Sequence, residues 1–508
     1  MPIFRSAVLL ALAAGVAFAD EPGKPVSKFK LGRDTTFVDG PLDKDGYIDY
    51  EAALNERLKG KITPESNAVV LLMQCLGPKP EGAALHKDFY KAIGIEAPAD
   101  VGDYLVQYNR HFVLEMQSRD PRGFFDMEAK LKLRPWTKDD SPKHAEWLKL
   151  NQKPLEIAVE ASKRKDYYFP QISRTRGGER GALLGALLPT VQKCRELALL
   201  LSFRATWHLS AGKIDDAFAD VLAIHRLGRL LTRGASSIEL LVGISMESIA
   251  HQADLTLLEH GRPTAKQILT YQAELEKLQP RGCVADKIGF FERFLYLDSV
   301  QYFLRTGIND LLGGEFRGRT PEQIADALDW NAVLSMGNHH YDRMVEALRK
   351  PTRGERLQAS VAIDLELGKL QKDAKNVKID PKDPPAKIRS ELTQKIGAMY
   401  VALLMPAFQK VNEANDRAGQ IHRNGLLATA LGAHFADHKK YPDTLAELVQ
   451  KYLAKIPEDV FGAKAMIYKS TAEGYLLYSV GVNGIDDGGQ LISEDSRGDD
   501  IGVRMPRK

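Results

Sequence analysis

From Leu183 to Leu278 apolar residues recur at intervals of three and four, and no other feature of the chain restricts its fold as strongly. That spacing turns one stripe of each helix toward a common core. It predicts four helices, Val191–Leu209, Asp215–Leu231, Ile238–His260 and Thr264–Leu278. The breaks at Ala211-Gly212-Lys213 and at Thr232–Ser237 are short, and short loops join antiparallel neighbours. Asp215 and Asp216 open the second helix while Arg226 and Arg229 stand near its end, which matches the helix dipole.

Composition narrows what such a body can serve. A length of 508 residues predicts about two to four domains. Apolar and charged fractions of 44% and 27% are those of a globular chain. A net charge of +3 argues against a dedicated nucleic-acid binder. Three cysteines, Cys75, Cys194 and Cys283, exclude a disulfide-dense scaffold; Cys194, inside an apolar helical pattern, reads as a buried small side chain. No uncharged apolar run reaches the ~18 residues of a membrane span.

The first residues read as an address. One basic residue, the apolar run Ser6–Val16 and Ala17-Phe18-Ala19 ahead of Asp20 form the pattern of a secretory signal peptide over residues 1–19. The expected localisation is therefore exported, periplasmic or extracellular. Pro41–Glu51 has an EF-hand flavour around Asp43, Asp45 and Gly46, but both end ligands of such a loop are missing. An Asp-Gly turn followed by a helix from about Asp49 is the better reading. Ile288–Leu312 and Pro321–Leu348 read as further helices. The polar stretch 351–385, ending in Ile379-Asp-Pro-Lys-Asp-Pro-Pro385, reads as a linker. The expected layout is a helical body over 20–350, a linker over 351–385 and a last domain over 386–508.

Signatures of nucleophile elbows, phosphate loops and zinc proteases are absent. The best metal-like set is Glu247 and His251, one helical turn apart, with His225 on the preceding helix. His339, His340 and Asp342 form a weaker set, because adjacent helical residues point about 100° apart. Trp136, Trp147, Trp207 and Trp330 are explained by core anchoring. Ala205-x-x-His208-Leu209-x-x-Gly212-Lys213-x-x-Asp216-Ala217 resembles the seam of a tetratricopeptide repeat, but it occurs once where such arrays need about three units.

Residues 388–440 read as a long helical pattern broken at Pro406. A short helix from Thr444 to Tyr452 follows, then strands at Ala465–Lys469, Gly474–Ser479 and Ile501–Met505. Several ordered marks lie here: Tyr441-Pro442, Asp459-x-Phe461-Gly462, Gly474-Tyr475, Ser479-x-Gly481-x-Asn483-Gly484 and Asp500-Ile501. On these marks the last quarter resembles the C-terminal domain of the major pseudopilin of type II secretion systems (type II secretion system protein G-like). Leu404–Asp416 is similar to the stem helix of pilin-like exported proteins. Residues 40–55 resemble the start of a group of exported bacterial proteins with no assigned activity.

The resemblance implies a calcium site. The family's loop acid falls on Asn483, its acid before the final isoleucine on Asp500, and its carbonyl donors near Leu477 and Val480. Physical chemistry points the same way. Asp486, Asp487, Glu494, Asp495, Asp499 and Asp500 crowd one loop against Arg497, and Ca2+ would relieve their repulsion.

The expected fold is mainly α, in helical hairpins of repeat-like character, with a small C-terminal α+β pseudopilin-like domain of a long helix and a three-stranded antiparallel sheet. The expected function is a non-enzymatic exported scaffold or assembly protein. Its partners are proteins of the cell envelope, without nucleic acid and without an integral membrane segment. The alternatives are an extracytoplasmic metal-dependent hydrolase using His225, Glu247 and His251, and a helical-repeat peptide-binding adaptor.

Overall fold

A computed structural model describes residues 26–117, 121–173, 175–176, 179–186, 190–306, 323, 326–377, 382–405, 408–462, 464–471, 473–492, 494 and 498–507. The signal-peptide expectation at 1–19 lies outside the described residues, as do Pro406, Asp495 and Arg497.

The chain is mainly helical and ends in a three-stranded antiparallel sheet. Near the N-terminus, α1 (Tyr50–Lys59) is capped by the Asp49 side chain and α2 (Ala68–Leu76) by Asn67. Asp43 closes the turn before α1 by accepting the Asp45 and Tyr47 N–H groups at 3.0 and 2.9 Å, and its other oxygen pairs with Arg305. That is the Asp-Gly turn, wired internally. Next come α3 (Gln152–Ser162) and four long helices: α4 (Val191–Ser210), α5 (Ile214–Thr232), α6 (Ser237–His260) and α7 (Ala265–Glu276). Capping boxes fix two starts, Ser236 with Glu239 for α6 and Thr264 with Gln267 for α7. Each expected helix of this region is present within two residues at either end.

Helices α5 and α6 cross at two facing glycines. A Cβ on Gly243 would lie 2.6 Å from the Gly228 carbonyl oxygen, and one on Gly228 2.9 Å from that of Gly243. Neither site has room for a side chain, so the backbones touch.

Further along lie α8 (Arg293–Thr306), entered through a π-turn over Ile288–Glu292, and α9 (Trp330–Leu348), capped by Asp329. The stretch expected as a polar linker carries a 24-residue helix instead, α10 (Arg353–Asn376), opened by a Thr352–Glu355 capping box. Ala359, Ile363, Leu367 and Leu370 form its core-facing stripe. The stripe is narrow and the remaining positions are polar, which is why composition alone suggested a linker. Helix α11 (Pro385–Leu404) and helix α12 (Phe408–His438) follow.

Two large cores result. One gathers α2 to α7, the later part of α12 (Leu427–Ala433) and one face of the sheet. The other gathers α1, α8 to α11 and the start of α12, at Phe408 and Val411. Helix α12 therefore belongs to both.

The sheet has strands β1 (Ile467–Ser470), β2 (Tyr475–Ser479) and β3 (Ile501–Met505) in that order, with Ile467 opposite Tyr478 and Tyr475 opposite Met505. Tyr475, Leu477, Val503 and Met505 face the first core, while Leu476 and Tyr478 pack with Leu491 on the other side, as strand alternation requires. Buried amides of α12 fasten the sheet: Asn424 donates to the Ile501 carbonyl at 2.9 Å, and Gln420 accepts the Val460 N–H at 2.8 Å. The short helix expected over Thr444–Tyr452 is a single 3-10 turn, Leu445–Leu448, stopped where Gln450 takes a positive φ of 78°.

Cys75 and Cys194 are buried and free, and Cys283 is exposed. Burial pushes the Cys194 thiol up to about 12, so it is an inert core residue. Trp136 and Trp147 are fully enclosed, their ring nitrogens donating to Thr206 and to the Val106 carbonyl. Among the described residues no helix is long and apolar enough to cross a membrane.

Candidate functional site

Two places concentrate chemistry. The first lies where α5, α6, α7 and α12 meet. His225 on α5 and His251 on α6 come together, their ring centroids 4.7 Å apart. Asp254, three residues after His251 and so on the same helical face, joins them. Its Oδ2 is 2.9 Å from His225 Nε2 and 3.3 Å from His251 Nδ1. The Tyr271 hydroxyl of α7 donates to the other oxygen, Oδ1. His422 of α12 stands 5.9 Å from the His251 ring, centroid to centroid. Beside it Gly425 lets α12 close in: a Cβ there would sit 2.8 Å from His251 Nδ1.

The electrostatics follow from burial. Burial alone would raise the Asp254 carboxyl, but the charge and hydrogen bond of His225, with that of His251, hold it well below the usual range. Burial drives the His251 imidazole down, against the pull of Asp254. It drives His422 down further, helped by Arg229 and the neighbouring imidazoles. His225 Nδ1, His251 Nε2 and His422 Nδ1 are buried without a hydrogen-bond partner.

Glu247, expected as a ligand beside His225 and His251, is not part of this set. Two arginines claim it. Arg229 Nε donates to Oε2 at 3.0 Å, and Arg281 donates to Oε1 and Oε2 at 3.0 and 2.6 Å. Burial would raise the carboxyl, but Arg281 and Arg229 hold it below its ordinary value. Arg281 also donates to the Ala418 carbonyl of α12 at 2.9 Å. Asp254 takes the place expected for Glu247. The His251-x-x-Asp254 spacing was the signal that could have found it.

His339, His340 and Asp342 do not assemble. Asp342 pairs with Arg293 at 2.7 Å, and burial pushes His340 down to about 4. A cleft of about 540 Å³ opens between α4 and α6, lined by Lys193, Glu196, Ser245 and Gln252 among others.

The second place is the turn between β2 and β3. Asp500 is buried at its base, where its two oxygens face the N–H groups of Asp487 at 3.4 Å and Gly489 at 2.8 Å. Burial, and then Asp487 and Asp486 nearby, raise its carboxyl. Asp499 accepts the Asn483 N–H at 2.8 Å, and Asp487 accepts the Asp499 N–H at 2.8 Å. Asp486 accepts from the Tyr478 hydroxyl at 3.0 Å. Arg417 of α12 pairs with Asp499, and Arg504 with Glu494; these cations come from outside the loop. Leu477 is in the middle strand, Val480 donates to Asp459, and Asn483 is exposed. Among the described residues, the one set of His, Cys, Asp or Glu donors lying within 4.8 Å of one another is His225, His251 and Asp254.

Comparison of the chain with family models, curated proteins and solved structures returns no match.

Proposed function

We propose that this chain is a non-enzymatic exported scaffold or assembly protein, whose pseudopilin-like C-terminal tip makes contacts with protein partners in the cell envelope. The observation that carries this reading is the order of the last quarter: a stem helix rooted in both cores, then a three-stranded antiparallel sheet, then an acidic turn held over buried Asp500. Such a stem presents the turn on a rigid support. Ile485 and Ile492 stand out on that turn, 63% and 46% exposed, beside carboxylates that Ca2+ would neutralise. In this reading calcium is structural, with Asn483, Asp486, Asp487 and Asp500 and the carbonyls of Leu477 and Val480 as its donors.

The test places a photo-crosslinking residue at Ile485 of the full chain in its native cell, and another at exposed Val101 of the body as control. Adducts to one envelope protein from Ile485 alone support the proposal. Equal adducts from both sites, or hydrolysis of a polymer by the purified chain that a point variant abolishes, overturn it. Calcium binding is read by titration calorimetry, and Asp500→Asn should remove it.

A further inference from the structure

We infer that His225, His251 and Asp254 bind one divalent transition-metal ion of the zinc class, in a buried site that joins α5 to α6 beneath the stem helix. Two observations converge, the spacing of the donor atoms and an unpartnered nitrogen among them. The donor atoms lie within 4.8 Å of one another. The oxygen–nitrogen separations, 2.9 and 3.3 Å, lie at or just below the edge of about 3.3–3.4 Å of a tetrahedron with bonds of about 2.0–2.1 Å, so a small outward shift of His225 would seat an ion among the three donors. His251 Nδ1, the nitrogen that faces Asp254 Oδ2 on a side chain more than nine-tenths buried, has no hydrogen-bond partner, and such an orphan is costly in a closed core.

The donor set selects the ion. Two imidazoles and one carboxylate suit zinc and its neighbours in the first transition row. Calcium takes six to eight oxygens and magnesium an octahedron of them, so neither fits here. The surrounding residues behave as supports. Tyr271 holds Oδ1 and leaves Oδ2 directed between the two rings. Glu247 stays outside the donor set, its own oxygens held on Arg229 and Arg281. Gly425 packs α12 over His251, so a bound ion would sit under the stem helix. This site is independent of the acidic turn, and its occupant differs in class.

The test uses the full chain, stripped with a chelator and reloaded with Zn2+ alone or Co2+ alone. The expected results are one metal per chain, the visible d–d absorption of a low-symmetry Co2+ centre, and a raised unfolding midpoint with Zn2+. Asp254→Asn and His251→Gln should lower Zn2+ affinity by more than about 100-fold. Tyr271→Phe, which removes only a supporting hydrogen bond, should lower it by about 10–100-fold. His86→Gln, a surface histidine variant, should bind as the wild type does. If the ligand variants fail to fold, the Co2+ spectrum of the wild-type chain and the Tyr271→Phe titration decide. Wild-type chain that takes up no more Zn2+ than Asp254→Asn, or that gives only the octahedral spectrum of hydrated Co2+, overturns the inference.

Discussion

The buried cluster and the acidic turn solve the same problem, crowded carboxylates, in opposite ways. In the cluster each acid is held by partners from other elements: Glu247 by Arg229 and Arg281, and Asp254 by His225 and Tyr271. In the turn most are held by nearby backbone, Asp500 by Gly489 and Asp487 by Asp499. Compensation across helices is strong but makes the fold depend on every member. Compensation within a loop is weaker and local, and it leaves the rest of the fold indifferent to change.

The largest expected effect tests that dependence. Glu247→Gln leaves two buried guanidinium groups without their counter-charge, and should lower the unfolding free energy by about 3–5 kcal/mol, measured in urea. Asp487→Asn in the turn weakens one hydrogen bond from the Asp499 N–H and should cost about 0.5–1.5 kcal/mol. Equal losses would break the contrast.

The next effect concerns alkaline pH. Burial brings Lys287 down to about 8, against the pull of Glu239. Between that value and 10.5 the unfolded chain holds a proton that the folded chain has released. Stability contributed by this group therefore rises with pH across that window, by up to about 3 kcal/mol. Lys287→Met should remove the rise, seen as a flatter pH profile of the urea midpoint.

Below neutrality the two regions carry opposite signs. The Glu247 carboxyl is depressed, so its contribution is present above the ordinary glutamate range and is lost as pH falls toward its folded value. The Asp500 carboxyl is raised, so in the calcium-free chain its contribution grows as pH falls through its folded value. Acid unfolding of Glu247→Gln should be less steep with pH than that of the wild type, and that of Asp500→Asn steeper.

The smallest effects separate packing from backbone conformation. Gly243→Ala drives a methyl into the Gly228 carbonyl at 2.6 Å and should cost about 1–3 kcal/mol. Gly484→Ala meets nothing within 4 Å, but its φ is +71°, so only about 1 kcal/mol of strain is expected. Thermal melts rank the two.

How far the sequence could be read depended on the range of the interactions. Helices α4 to α7 were legible because their periodicity and caps are local: Gly212, Ser236 with Glu239, and Thr264 with Gln267 lie within a few residues of the ends they set. The alternating strands were legible for the same reason. Helix α10 was not, since four apolar positions in a polar stretch acquire meaning only against the core they meet. The metal-like set was half legible. Spacing placed Glu247 and His251 on one face of α6; Asp254 extends that face but was not picked out, and spacing cannot say which acid faces His225. Arg229 and Arg281 decided that, 18 and 34 residues away from Glu247. The cations Arg417 and Arg504 were likewise invisible from inside the acidic loop.

Helix α12 has one more consequence, in the order of synthesis. The core built by α2 to α7 is completed by Leu427–Ala433 and by Tyr475, Leu477, Val503 and Met505, residues that leave the ribosome after the rest of that core. Until they arrive, that face of the body remains open and apolar. The chain's early three quarters therefore cannot finish folding ahead of its end, and a nascent chain halted before residue 427 would be a substrate for chaperones rather than a smaller stable protein.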